Sequence, residues 1–143
     1  MSDRLYDSDF YAWTQHQAKM LRSHQLSTLD TVHLAEELED MGRREKRELA
    51  SRLEVLMMHL LKWQFQPNLR SRSWQITIKE QRLRLEQHLA ENPSLKPILT
   101  TSLEGAYQLA SLNAEKETGL DAFPPACPYT LEQIFDPSFL PES

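Results

Sequence analysis

The chain has 143 residues, 40% of them apolar, with three glycines, one cysteine and a formal net charge of −5. That length suits one domain with one core, and few glycines beside abundant Leu, Glu, Gln, Lys and Arg favour helix over sheet. The single cysteine, Cys127, excludes an intrachain disulfide framework and a multi-thiolate zinc site.

The first helix is predicted to begin near Asp7 to Asp9, whose side chains cap exposed amides and suit the positive end of the helix dipole. Tyr6, Phe10, Trp13, Gln17, Leu21 and His24 then form one stripe, the pattern of a core face rather than a ligand pocket. A second helix is expected from about Asp30 to Met41, with Leu34, Ala35, Leu38 and Met41 inward and Glu36, Glu37, Glu39 and Asp40 outward. Gly42 reads as its C-cap.

The third helix opens at about Arg43 with RREKRE exposed, then runs on as LASRLEVLMMHLLKWQF, Leu49 to Phe65. Leu49, Leu53, Leu56, Leu60 and Trp63 step by four, three, four and three, which places them on one face. Met57 and Leu61 widen that face, and Val55, Met58 and Phe65 lie on the other side. A helix with so little polar surface is surrounded when folded, as the core of a bundle or half of a dimer interface. A membrane span needs about 20 residues with few charges; this run is roughly 17 long and carries Arg52, Glu54, His59 and Lys62. Pro67 ends it.

Ser71 or Ser73 is placed to cap a fourth helix, roughly Ser73 to Asn92, with Trp74, Ile78, Gln81, Leu85 and Leu89 as its stripe and Arg82 and His88 on the flanks. Gln81 in that seam requires a buried partner or an opening to solvent. Asn92-Pro93-Ser94 starts a fifth helix. Leu95, Ile98, Leu99, Ser102, Leu103, Ala106, Leu109, Ala110 and Asn113 share its face, and Gly119 terminates it. From Leu120 the composition shifts, and five of the eight prolines fall here. Thr130 to Phe135 forms a short helix, with Thr130 as cap and Gln133 reaching back. Phe123, Tyr129, Ile134, Phe135, Phe139 and Leu140 are too apolar for a free tail and predict an irregular strap over the bundle or across to a second subunit. The expected architecture is all-α, a bundle of about five helices around a central apolar helix. It is expected to be one domain over 1–143, with the bundle in 1–119 and the Pro-rich strap in 120–143.

The segments LYDSDFYAWTQHQAKMLR, LAEELEDMGRREKRELASRLEVLMMHLLKWQFQP, RSRSWQITIKEQR and CPYTLEQIFDPSFLP, in this order, resemble the bacterial, mostly cyanobacterial family called domain of unknown function twenty-nine. The resemblance runs from Leu5 to Pro141. It implies an all-helical fold and a bacterial, cytoplasmic setting, and it carries over no activity, cofactor or catalytic residue.

Charge is unevenly spread: residues 43 to 84 hold eleven Lys or Arg against four Glu, a local +7, which leaves −12 elsewhere. Arg43, Arg44, Lys46, Arg47, Arg70, Arg72, Lys79, Arg82 and Arg84 make up a basic surface that could neutralise phosphates if they share a face. The negative total, the absence of a helix-turn-helix signature and the apolar placement of Trp74 weigh against a nucleic-acid binder. His33 with Glu36 and Glu37 has ligand spacing on one helix, but the chain has no Glu-x-x-His of the kind that builds di-iron bundles. No Gly-x-Ser-x-Gly, phosphate-cradling glycine loop or Cys–His signature is present. Glu37, His59, Gln81 and Arg82 are the loose candidates for a catalytic cleft, and His59 reads first as an imidazole at a core edge bonded to a carbonyl. Cys127 reads as a packed thiol. No cofactor is expected. The N-terminal MSDRLYDSDF lacks a basic-then-apolar signal segment, so a cytoplasmic location is expected, with no membrane insertion. The favoured reading is a non-enzymatic module that binds a protein partner or a second copy of itself. Nucleic-acid association through 43–84 is the alternative, and an enzyme or metal-binding bundle is the second alternative.

Overall fold

Strong helix formers run without a proline from Thr31 to Phe65, and the structure draws them into one helix of 35 residues. The computed structural model describes the backbone of residues 2–143 and the side chains from Leu5 onward. Among the described residues there are six α-helices and no strand: α1 Ser2–Ser8, α2 Phe10–Arg22, α3 Thr31–Phe65, α4 Arg72–Glu91, α5 Leu99–Thr118 and α6 Leu131–Phe135. Short 3-10 turns at Leu26–Thr28, Pro67–Leu69 and Pro93–Ile98 connect them. The all-α class and the central apolar helix are as expected from the sequence.

The two helices expected on either side of Gly42 are one. Gly42 keeps a helical backbone, and of the three glycines only Gly119 takes a positive φ. A glycine inside a helix costs about 1 kcal/mol relative to alanine, too little to end a helix whose neighbours are paired. Arg43 bonds Asp40 and lies 3.9 Å from Glu39, so charges one turn apart bridge the weak point. The chain's start also differs from expectation: α1 precedes the predicted first helix, and Asp9 caps α2 by accepting from the Ala12 amide at 3.1 Å.

The chain divides into two compact units, one ending at Glu45 and one running Lys46–Ser143. The first holds α1, α2 and the beginning of α3. Its centre is Trp13, buried with Met20 and Gln17. Asp30 caps α3 and gathers three donors: the indole N–H of Trp13 at 3.0 Å, the His33 amide at 3.3 Å and the His33 ring at 2.7 Å.

The second unit is built around the remainder of α3. Leu49, Leu53, Leu56, Met57, Leu60 and Leu61 have no exposed surface. They pack with Ile78, Leu85 and Leu89 of α4, with Leu103, Ala106, Tyr107, Ala110 and Ala114 of α5, and with Tyr129 and Ile134 of the strap. Polar contacts at the edge of this core join α3 to α5, Asn113 to Glu54 at 2.6 Å and Lys62 to Glu117 at 2.9 Å. The strap folds onto its own chain: Tyr107 donates to the Pro124 carbonyl at 2.6 Å, and Tyr129 donates to Gln64 at 2.8 Å. Thr130 and Gln133 form the expected capping box.

The fifth helix begins later than its sequence pattern suggests, because Pro93–Ile98 winds as a 3-10 turn and α5 starts at Leu99. The buried face centres on Ala106 and Ala110, and Leu109, about a third of a turn away, is 53% exposed. Leu60→Ala should therefore lower stability by about 2–5 kcal/mol, while Leu109→Ala changes it by less than about 0.5 kcal/mol. Urea denaturation of the two variants measures the difference.

Candidate functional site

In the first unit, α2 and α3 border a groove of about 320 Å³. Phe10, Leu21, Leu34, Leu38 and Met41 supply its apolar walls, and Glu37 and Arg44 stand on its rim. The sequence pattern points Leu38 and Met41 inward, but they are 66% and 54% exposed. Periodicity defines an apolar face without supplying anything to cover it. The first unit contains only α1, α2 and the beginning of α3, so this flank of α3 stays open. At the floor lies Gln17, 1% exposed. Its Oε1 accepts from the Asp30 amide at 2.9 Å, and its Nε2 is buried with no hydrogen-bond partner. An unsatisfied buried donor costs about 1–3 kcal/mol.

The expected ligand set on α3 is already committed elsewhere. The His33 ring bonds Asp30, and its face stacks on Tyr6 with centroids 3.9 Å apart. Tyr6 donates its hydroxyl to Glu37, which pushes the phenol up to about 12. Glu36 is exposed. Burial works against the Asp30 carboxylate, but bonds from His33 and Trp13 outweigh it and hold its pKa below the ordinary carboxylate range. The sequence reading missed this cluster. Its signal was Asp30-x-x-His33, the spacing of a cap with the third residue of its helix.

The other catalytic candidates each have a separate partner in the second unit. His59 Nδ1 lies 2.8 Å from the Val55 carbonyl, the core-edge imidazole expected. Gln81 accepts from Arg52 at 3.4 Å. Arg82 was expected on a basic surface, but it is 6% exposed and donates to the carbonyls of Ile134 at 2.8 Å and Gln133 at 3.1 Å. Arg70 is half-buried, bonded to the Trp63 carbonyl at 2.7 Å with its guanidinium over the Trp63 ring. Arg43, Arg44, Lys46, Arg47, Arg72, Lys79 and Arg84 are exposed. His88, expected on a flank, is buried with Nδ1 2.6 Å from Glu48. Cys127 is a packed thiol beside Met57 and the Tyr129 carbonyl, and burial pushes its pKa up, away from thiolate chemistry.

The profile of the family described as domain of unknown function DUF29 matches residues 5–140. The chain belongs to this family. No curated protein and no solved structure matches it. Among the described residues of this DUF29 chain, no helix is long and apolar enough to cross a membrane.

Burial lowers the His59 pKa, with the Lys62 charge acting the same way and the Val55 carbonyl and Glu117 opposing. The unfolded chain, with histidine near 6.5, therefore binds the proton more readily than the folded one. The stability held by neutral His59 is complete above about pH 6.5 and declines as pH falls below it. Between about pH 7 and pH 5, the wild type should lose more unfolding free energy than His59→Gln. Chemical denaturation at both pH values checks this.

Proposed function

We propose that this DUF29 chain is a non-enzymatic interaction module that self-associates through the open groove of its first unit. The observation that carries the reading is the exposure of Leu38 and Met41 over an apolar groove, a surface of the kind that marks a protein-binding site. A second copy is the occupant with the best charge match. On α3, Glu37 and Arg44 stand on the rim of the groove two turns apart, on one flank of the Leu38–Met41 face. Antiparallel pairing of two copies over Leu38 and Met41 sets Glu37 of each against Arg44 of the other, as a two-fold interface requires. The separate commitments of His59, Gln81 and Arg82 support a non-enzymatic role.

Sedimentation equilibrium tests this. The wild type should be dimeric, and Leu38→Asp with Met41→Asp should be monomeric at unchanged helix content. Glu37→Lys should fail to self-associate, as should Arg44→Glu, and mixing those two variants should restore a heterodimer. A wild type that stays monomeric, or charge variants that associate as well alone as mixed, overturns the reading.

A further inference from the structure

Among the described residues Arg82 is the one deeply buried arginine, and it is used only in part. Arg82 has five N–H donors, of which the strap carbonyls of Ile134 and Gln133 take two. Both acceptors are neutral, and no carboxylate among the described residues forms an ion pair with Arg82. The acid whose field reaches it is Asp136, whose own oxygens accept from the Ser138 amide at 2.9 Å and hydroxyl at 2.7 Å. A buried cation is ordinarily paired, because leaving it alone forfeits its hydration with nothing in return. Burial accordingly lowers the Arg82 pKa.

This guanidinium lines a pocket of about 450 Å³ between α4 and the strap, within the size range of small-molecule sites. Arg72 and Lys79 line it as well, with Gln75 between them, and no carboxylate does. Pro137 and Leu140 of the strap form an apolar wall. Arg72, Gln75, Lys79 and Arg82 follow at spacings of three, four and three along α4, so one helix face presents all four. The sequence reading treated these cations as part of a broad basic surface. The strap instead narrows three of them into a concave site and roofs it with apolar side chains.

We propose that this pocket binds a small organic oxyanion, a single phosphate or carboxylate group carried on a compact apolar body. The anionic group bonds the unused N–H donors of Arg82 and the charges of Arg72 and Lys79, and the body lies against Pro137 and Leu140. Arginine's planar fork matches the two-oxygen edge of either group. Since Arg82 also holds Ile134 and Gln133, an occupant tightens the attachment of the strap to α4. The site belongs wholly to the second unit and does not rest on self-association.

Phenyl phosphate, benzoate and inorganic phosphate are titrated against the full chain at fixed ionic strength, reading the thermal midpoint and calorimetric heat. A saturable rise in midpoint with phenyl phosphate or benzoate is expected, and the stronger of the two names the headgroup. Lys79→Glu should weaken binding by about tenfold, the loss of one charge-assisted contact, and adding Arg72→Glu should weaken it further. Both side chains are exposed, so these variants keep the fold. Lys96→Glu, an equal change of charge outside the pocket, should leave binding unchanged. The proposal is overturned if neither organic anion gives a saturable shift, or if Lys96→Glu weakens binding as much as Lys79→Glu. It is also overturned if a single-stranded oligonucleotide binds in a Lys79-dependent way while phenyl phosphate and benzoate do not, which would make the surface a nucleic-acid site.

Discussion

Removal of the Leu49–Leu61 face of α3 from water is the constraint on which the second unit depends. Six side chains of this stretch have no exposed surface, and three separate pieces of chain hide them: α4, α5 and the strap. Fully burying one such side chain is worth about 1.5–3 kcal/mol, so no single neighbour's departure is minor. The covering elements are shaped for this role. Ala106, Ala110 and Ala114 are buried on α5, and side chains this small allow close helix approach. The strap covers what two helices leave open, and that explains why a segment so rich in proline is also rich in aromatic and branched apolar residues.

Polar groups at the boundary of this core are spent on holding the cover in place. Arg82 ties down the end of α6, Tyr107 and Tyr129 tie down the stretch before it, and Lys62 and Asn113 fasten α5. The residues that a search for chemistry singles out are therefore structural to a large degree. The His59 ring nitrogen meets a carbonyl one turn back in its own helix. The surfaces left open are a groove in the first unit and a cationic pocket under the strap in the second.

Much of this was legible in the sequence because it depends on local spacing. The alternation of three and four from Leu49 to Trp63 marks a buried helix, and Thr130 with Gln133 marks a capping box. Gly119 marks a left-handed helix end, at φ 74°. What was not legible depends on partners distant in sequence or on competition between small terms. Gly42 resembles a stop signal, and only the balance between its modest cost and the flanking ion pairs keeps the helix going. Leu38 and Met41 show a face but not whether anything covers it. Arg82 looks like a surface cation because its acceptors lie 51 and 52 residues further on, and His88 likewise meets Glu48 across a separation no local pattern encodes.

Native-state amide exchange reads the dryness of the Leu49–Leu61 stretch of α3 directly. Residues 49–61 should exchange slowest in the chain, through openings that approach global unfolding in free energy. Residues 36–44 of the same helix, whose apolar side chains stay open, should exchange through cheaper local openings. Equal exchange along the two stretches, with residues 49–61 as unprotected as 36–44, would contradict a buried organising helix.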